Sequence, residues 1–192
     1  MSERTSEPAS RTEETCLDGL SIGLLRARLR EVLELKALPR AGWVREGVVN
    51  PESVAAHSWG VAWLVLTLAP AAIDRGRALA IAVLHDLAEV RVGDITPLDG
   101  VGPADKRRRE EAAMDGLLGG LLRAEEMRQL WLEYEEQSSP EGRLVKACDR
   151  LDMALQAQLY AADDGIDPSS FIASALEGLP PGLFVELARA LE

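Results

Sequence analysis

His57 and His85 are the only two histidines in this chain of 192 residues, and each lies in an apolar stretch rich in Ala, Val and Leu. The second belongs to AVLHDLAE, where Asp86 stands beside it, and two further aspartates, Asp149 and Asp152, interrupt the apolar pattern of KACDRLDMAL. Burying imidazoles and carboxylates costs free energy unless a charge or a hydrogen bond compensates. Divalent transition metals bind neutral imidazoles and carboxylates, and metal binding supplies that compensation. Three helices contributing His57, His85 with Asp86, and Asp149 or Asp152 can converge on one ion. Adjacent residues reach the same ion because neighbouring side chains differ by only about 100° around a helix.

The elements that would position these residues are helices. Leu20, Leu24, Leu25, Leu29, Val32 and Leu35 recur at helical spacing and predict a first helix over 17–35. A loop with Pro39, Gly42, Gly47 and Pro51 follows, carrying Arg40, Trp43 and Arg45. Asn50-Pro51-Glu52 reads as a helix start, opening the His57 helix, which runs to about Leu68. The next helix is expected from Asp74 to Val90, ending at Gly93, and would carry His85, Asp86 and Glu89. GDITPLDGVGP is a loop, and ADKRRREEAAMDGLLGGLL and AEEMRQLWLEYEEQ are helices. Ser139-Pro140-Glu141 starts the Asp149 helix, and two shorter helices follow Pro168 and Pro180. No segment alternates with period two for long enough to predict a strand. Residues 1–16 are polar, with nothing to bury, and read as a disordered tail ahead of one domain over 17–192.

Composition narrows the partners. Hydrophobic residues make up 47% and aromatic residues only 4%, so Ala, Leu and Val must fill the core, which favours an all-α fold. The net charge of −11 argues against a nucleic-acid polymer. No apolar run is long enough for a membrane span, and the N-terminal stretch lacks an apolar signal core. Two cysteines, Cys16 and Cys148, make no disulfide framework and point to a reducing, cytoplasmic setting. Lys106-Arg107-Arg108-Arg109 is the one basic cluster; it reads as a solvated helix start or as a group approaching substrate from a neighbouring subunit. Trp131 and Tyr134 read as a core or dimer stripe.

The order H…HD…D resembles the signature of the HD-domain phosphohydrolases, an all-α superfamily. The strings GWVREGVVNPESVAAHS, HDLAEVRVGDITP and LWLEYEEQSSPEGRLVKACDRLDMALQA are similar to the HD-domain 5′-deoxynucleotidases, a likeness extending from about residue 20 to 165. The resemblance implies a compact single-domain helical fold, a homodimer, and hydrolysis of deoxyribonucleoside 5′-monophosphates. It also implies one divalent transition metal (Co, Mn, Fe or Zn) held by His57, His85, Asp86 and Asp149, with Asp149 preferred over Asp152. Glu89, four residues after His85, matches the family's catalytic glutamate and would sit over the attacking water from the same helix face. Asp94 would contact the sugar 3′-hydroxyl or assist at the leaving oxygen, and Thr96 would help bind substrate. Arg40 is the expected phosphate cation, because guanidinium binds phosphate oxygens in a planar fork. Trp43 would pack on the sugar and leave no room for a 2′-hydroxyl. Two residues separate Arg40 from Trp43 here, whereas they are adjacent in shorter bacterial members. The alternatives are HD chemistry on nucleoside triphosphates or alarmones, and a metal- or ligand-binding module without turnover.

Overall fold

The computed structural model describes residues 15–16 and 20–189. Ten α-helices occur among the described residues, and the longest, α8 (Pro140–Asp163), is the one on which five of the others pack. Its start was legible: Ser139 accepts a hydrogen bond from the Gly142 amide (2.9 Å), and Pro140 occupies the first turn. Leu144, Val145, Ala147, Cys148, Leu151, Ala154 and Ala157 form its buried stripe. Against it pack α3 (Val54–Leu68), α4 (Arg75–Leu84), α7 (Ala124–Glu136), α9 (Ser169–Leu176) and α10 (Leu183–Ala188). The main core lies where α3, α4, α7 and α8 meet, around Val61, Val65, Ile81, Trp131 and Val145.

Several boundaries differ from those expected. The first helix, α1, spans Ile22–Val32 and then tightens into a 3₁₀ turn, Leu33–Lys36; residues 17–19 lie outside the described set. Of the expected tail, residues 1–14 lie outside it too, while Thr15–Cys16 pairs antiparallel with Leu20–Ser21, a ladder too short for alternation to reveal. The loop with Arg40 and Trp43 contains a short helix, α2 (Ala41–Arg45). Asn50 is not a cap: Ser53 caps α3, accepting from the Ala56 amide at 3.2 Å. The residues flanking Ser53 pair with the preceding loop, Arg40 N–H donating to the Glu52 carbonyl and Val54 N–H to the Leu38 carbonyl.

The largest departure is at His85. Instead of one helix over 74–90, α4 ends at Leu84 and α5 (Glu89–Val92) begins after four intervening residues, closed by Gly93 at φ 77°. Between them the amides of Leu87, Glu89 and Val90 bond to carbonyls three residues back. This tighter winding changes the direction of successive side chains. Neither Pro nor Gly marks the break, so nothing local announced it. The remaining helix, α6 (Pro103–Leu118), packs against α5 and α7.

Candidate active site

Three of these helices aim polar groups at one point. His57 is fully buried on α3 and His85 is 2% exposed at the end of α4. Their Nε2 atoms are 3.3 Å apart, and Asp149 Oδ1 lies 3.2 Å from that of His57. These three ligand atoms all lie within 4.8 Å of one another. Asp86 Oδ2 lies 3.1 Å from His85 Nε2 and 3.5 Å from His57 Nε2.

Each inward atom is fixed from behind. His57 Nδ1 meets Asp152 Oδ2 at 2.7 Å, and His85 Nδ1 meets the Ala82 carbonyl at 2.8 Å. With Nδ1 donating in both rings, each Nε2 presents a lone pair to the centre. Asp152 therefore stands behind His57, away from the Nε2 side. It reaches His57 because Gly60 lacks a side chain: a Cβ there would collide with the Asp152 carboxylate. Asp149 is held through Oδ2, which accepts from Tyr134 Oη (2.6 Å) and Lys146 Nζ (3.1 Å). Sequence reasoning missed both donors. Lys146 could have been noticed three residues before Asp149 on one helix face, whereas the role of Tyr134 depends on how α7 packs on α8.

The charge balance favours a cation at this point. Burial and Arg40 act against a proton on His57, yet Asp149, Asp152 and Asp86 raise its pKa to about 10. Asp86 and Asp149 are held well below the ordinary carboxylate range despite burial, by the histidines together with Arg40 for Asp86 and Lys146 for Asp149. Glu89, 5% exposed, has the opposite problem. Burial first, and then Asp86 and Asp94, push it up to about 10, and its Oε2 is buried with no hydrogen-bond partner. An imidazole-carboxylate set ringed by negative charge and bordered by an unsatisfied carboxyl oxygen fits a divalent transition metal.

His85, Asp86 and Asp149 line a cavity of about 530 Å³, with His57 buried behind them. Arg40, Trp43, Glu89, Asp94 and Thr96 also line it. Glu89 comes from the start of α5, so the break at His85, rather than a continuous helix face, brings it there. Arg40 Nη1 lies 3.5 Å from Asp86 Oδ2 and 3.8 Å from Asp94 Oδ1. Asp94 Oδ2 also accepts the Ala41 amide at 2.7 Å, tying the start of α2 to the cavity rim. Trp43 is 2% exposed, donates through Nε1 to Glu52 (3.0 Å), and packs on Phe171 and Tyr160. Thr96 caps a 3₁₀ turn, Pro97–Asp99, and bonds Arg45. The basic cluster divides: Lys106 turns into the cavity of its own chain, donating to the Ile95 carbonyl at 3.1 Å, while Arg108 and Arg109 pair with Asp105. Trp131 is core, and Cys148 is buried, its thiol pushed up to about 12 first by burial and then by Asp149 and Asp152.

A family model described as HD domain matches residues 32–177. The chain belongs to the HD domain family. It is 44% identical over 140 residues to a Danio rerio protein named 5′-deoxynucleotidase HDDC2, covering 71% of this chain and 70% of that one. The protein of that name from Mus musculus is 43% identical over 145 residues, 74% of this chain and 72% of its own. Among solved structures, a conserved hypothetical protein from Pyrococcus furiosus superposes with a TM-score of 0.74 at 35% identity, covering 86% of this chain and 99% of that one. The all-α HD fold is thus common to sequence and structure, and HD-domain phosphohydrolases are metal-dependent.

Proposed function

We propose that this HD-domain protein is a metal-dependent 5′-deoxynucleotidase, releasing phosphate from deoxyribonucleoside 5′-monophosphates. The observation that carries the reading is the convergence of His57 Nε2, His85 Nε2 and Asp149 Oδ1, the last two residues in the wall of a nucleotide-sized cavity and His57 buried directly behind it, in a chain whose relatives bear that name. His57, His85, Asp86 and Asp149 hold the ion, which is Co, Mn, Fe or Zn rather than Mg or Ca because half the ligands are imidazoles. When bound, such an ion polarises a phosphoryl oxygen and makes water more acidic.

The chain's own residues do the rest. Tyr134 and Lys146 hold Asp149 from its outer oxygen, and Arg40 brings positive charge to the phosphate. Glu89 is the proton carrier: with a cation at the centre offsetting Asp86 and Asp94, its carboxylate form is favoured, and the partnerless Oε2 can then take a proton from the attacking water and return it to the leaving 5′-oxygen. Asp94 fixes α2, and thereby Arg40 and Trp43, against the site. The indole of Trp43 is the apolar wall beside the sugar, where a 2′-hydroxyl would find no partner.

Triphosphates and alarmones fit less well, because, among the described residues, four of the five cations bordering the cavity, Arg40, Arg45, Lys106 and Lys146, are already engaged with a carboxylate, leaving Arg150 alone to meet additional phosphate charge. A homodimer in the cytoplasm belongs to the same reading; among the described residues no helix is long and apolar enough to cross a membrane. The test is phosphate release with added Co²⁺ or Mn²⁺ across deoxyribo- and ribonucleoside mono- and triphosphates. Turnover confined to deoxyribonucleoside monophosphates is expected. Preference for triphosphates, or no turnover with any of them, overturns the reading.

A further inference from the structure

Five cations border the cavity: Arg40, Arg45, Lys106, Lys146 and Arg150. Four have carboxylate partners, Arg40 in Asp86 and Asp94, Arg45 in Asp99, Lys106 in Glu110 and Lys146 in Asp149. Arg150 differs. Among the described residues no carboxylate or hydrogen-bond acceptor pairs with its guanidinium, although it lines the same space.

Its position is built. The guanidinium lies against Gly178, just beyond α9, so closely that a Cβ there would occupy its place. Gly178 is not among the glycines at positive φ, so the glycine provides room rather than backbone freedom. Arg150 follows Asp149 on α8, and one residue of helix turns its side chain by about 100°, away from the candidate metal ligands and toward α9. On that wall Met153 and Phe171 also border the cavity, and the Phe171 ring is braced by Trp43 at a centroid separation of 4.3 Å. An apolar wall with a guanidinium on it matches a planar nucleobase: the wall covers the ring face, and paired N–H donors meet acceptors on its edge. Guanine offers two adjacent acceptors, O6 and N7, whereas adenine sets a donor beside N7.

We propose that Arg150, seated on Gly178, reads the nucleobase and makes the site prefer deoxyguanosine over deoxyadenosine nucleotides. This rests on the deoxynucleotidase reading of the cavity. The chemistry is hydrogen bonding by a side chain that diverges from Asp149 on α8, so it acts on substrate choice and not on metal content.

The test uses two variants of the full chain, Arg150→Ala and Gly178→Ala, the second displacing the guanidinium without removing its charge. With Co²⁺ present, the kcat/KM ratio for dGMP over dAMP should exceed one in the wild type and fall roughly ten-fold in Arg150→Ala. Gly178→Ala should move it in the same direction, and bound metal should stay unchanged in both. Equilibrium dialysis of deoxyguanosine against deoxyadenosine, which the enzyme does not consume, should show the same preference and the same loss. A ratio that Arg150→Ala leaves unaltered, or equal losses on both substrates, overturns the proposal, as does a wild type with no preference in dialysis. Absence of wild-type turnover on every deoxynucleotide would instead count against the deoxynucleotidase reading, while dialysis still decides the role of Arg150.

Discussion

His57 and His85 present the same atom to the same point, yet they are held in different ways. The outer nitrogen of His85 bonds the Ala82 carbonyl three residues back, a partner its own backbone supplies. The outer nitrogen of His57 bonds Asp152, 95 residues further along, and only because Gly60 leaves space. One histidine is oriented locally and cannot lose its partner by substitution. The other depends on the packing of α3 against α8 and on a charged side chain. The centre is therefore robust on the α4 side and adjustable on the α3 side, and its metal affinity should respond to changes behind His57.

The widest effect tests what the two histidines share. His57→Ala, His85→Ala and Asp86→Ala should each lose bound metal and turnover together, as read by elemental analysis and phosphate release. Stoichiometric metal in any of the three variants would remove that residue from the ligand set. Glu89→Gln separates metal from chemistry: it should keep the ion and lose about 10²- to 10⁴-fold in kcat, the usual contribution of a proton-transfer group. Near-normal turnover would assign that role elsewhere.

The difference between the histidines is sharpened by Asp152→Ala, which should weaken metal binding by roughly 10- to 100-fold. Asp152→Asn, which keeps an acceptor for the Nδ1 proton but not the charge, should recover part of that loss. Gly60→Ala should have a smaller effect of the same sign, because the carboxylate can swing aside rather than vanish. If metal titrations of Asp152→Ala match the wild type, His57 is fixed by packing alone and does not depend on Asp152.

The smallest effect is in pH. His57 and Glu89 both rise to about 10 in the folded protein, from ordinary values of 6.5 and 4.5. For both, the folded state retains a proton that the unfolded chain gives up. Their contribution to stability is thus complete below those ordinary values and lost as pH rises toward 10. Asp86 and Asp149 are shifted down, and their contribution is lost only in acid, outside this window. The Tm of metal-free protein should therefore fall between about pH 7 and pH 10, and Glu89→Gln should flatten part of the slope. An identical slope in that variant would show that Glu89 loses its proton as easily folded as unfolded.

Much of this architecture was written locally. Apolar spacing marked most of the longer helices, Ser139-Pro140 marked the start of α8, and the rarity of polar groups in apolar runs singled out His57, His85, Asp86 and the pair Asp149 and Asp152, between which only the family resemblance chose. Helical periodicity and the cost of burying a charge are properties of short stretches, so a single sequence displays them. What the sequence alone did not determine are the relations between distant stretches. The break after Leu84 carries neither Pro nor Gly, and with it His85, Asp86 and Glu89 all border one cavity. The braces on the ligands, Asp152 behind His57 and Tyr134 with Lys146 behind Asp149, join α3 to α8 and α7 to α8. Even the fate of Trp43, buried against Phe171 with its N–H on Glu52, depends on where α9 closes over α2. Hydrogen bonds of this kind act over about 3 Å between residues many positions apart, and only the folded chain brings them within that reach.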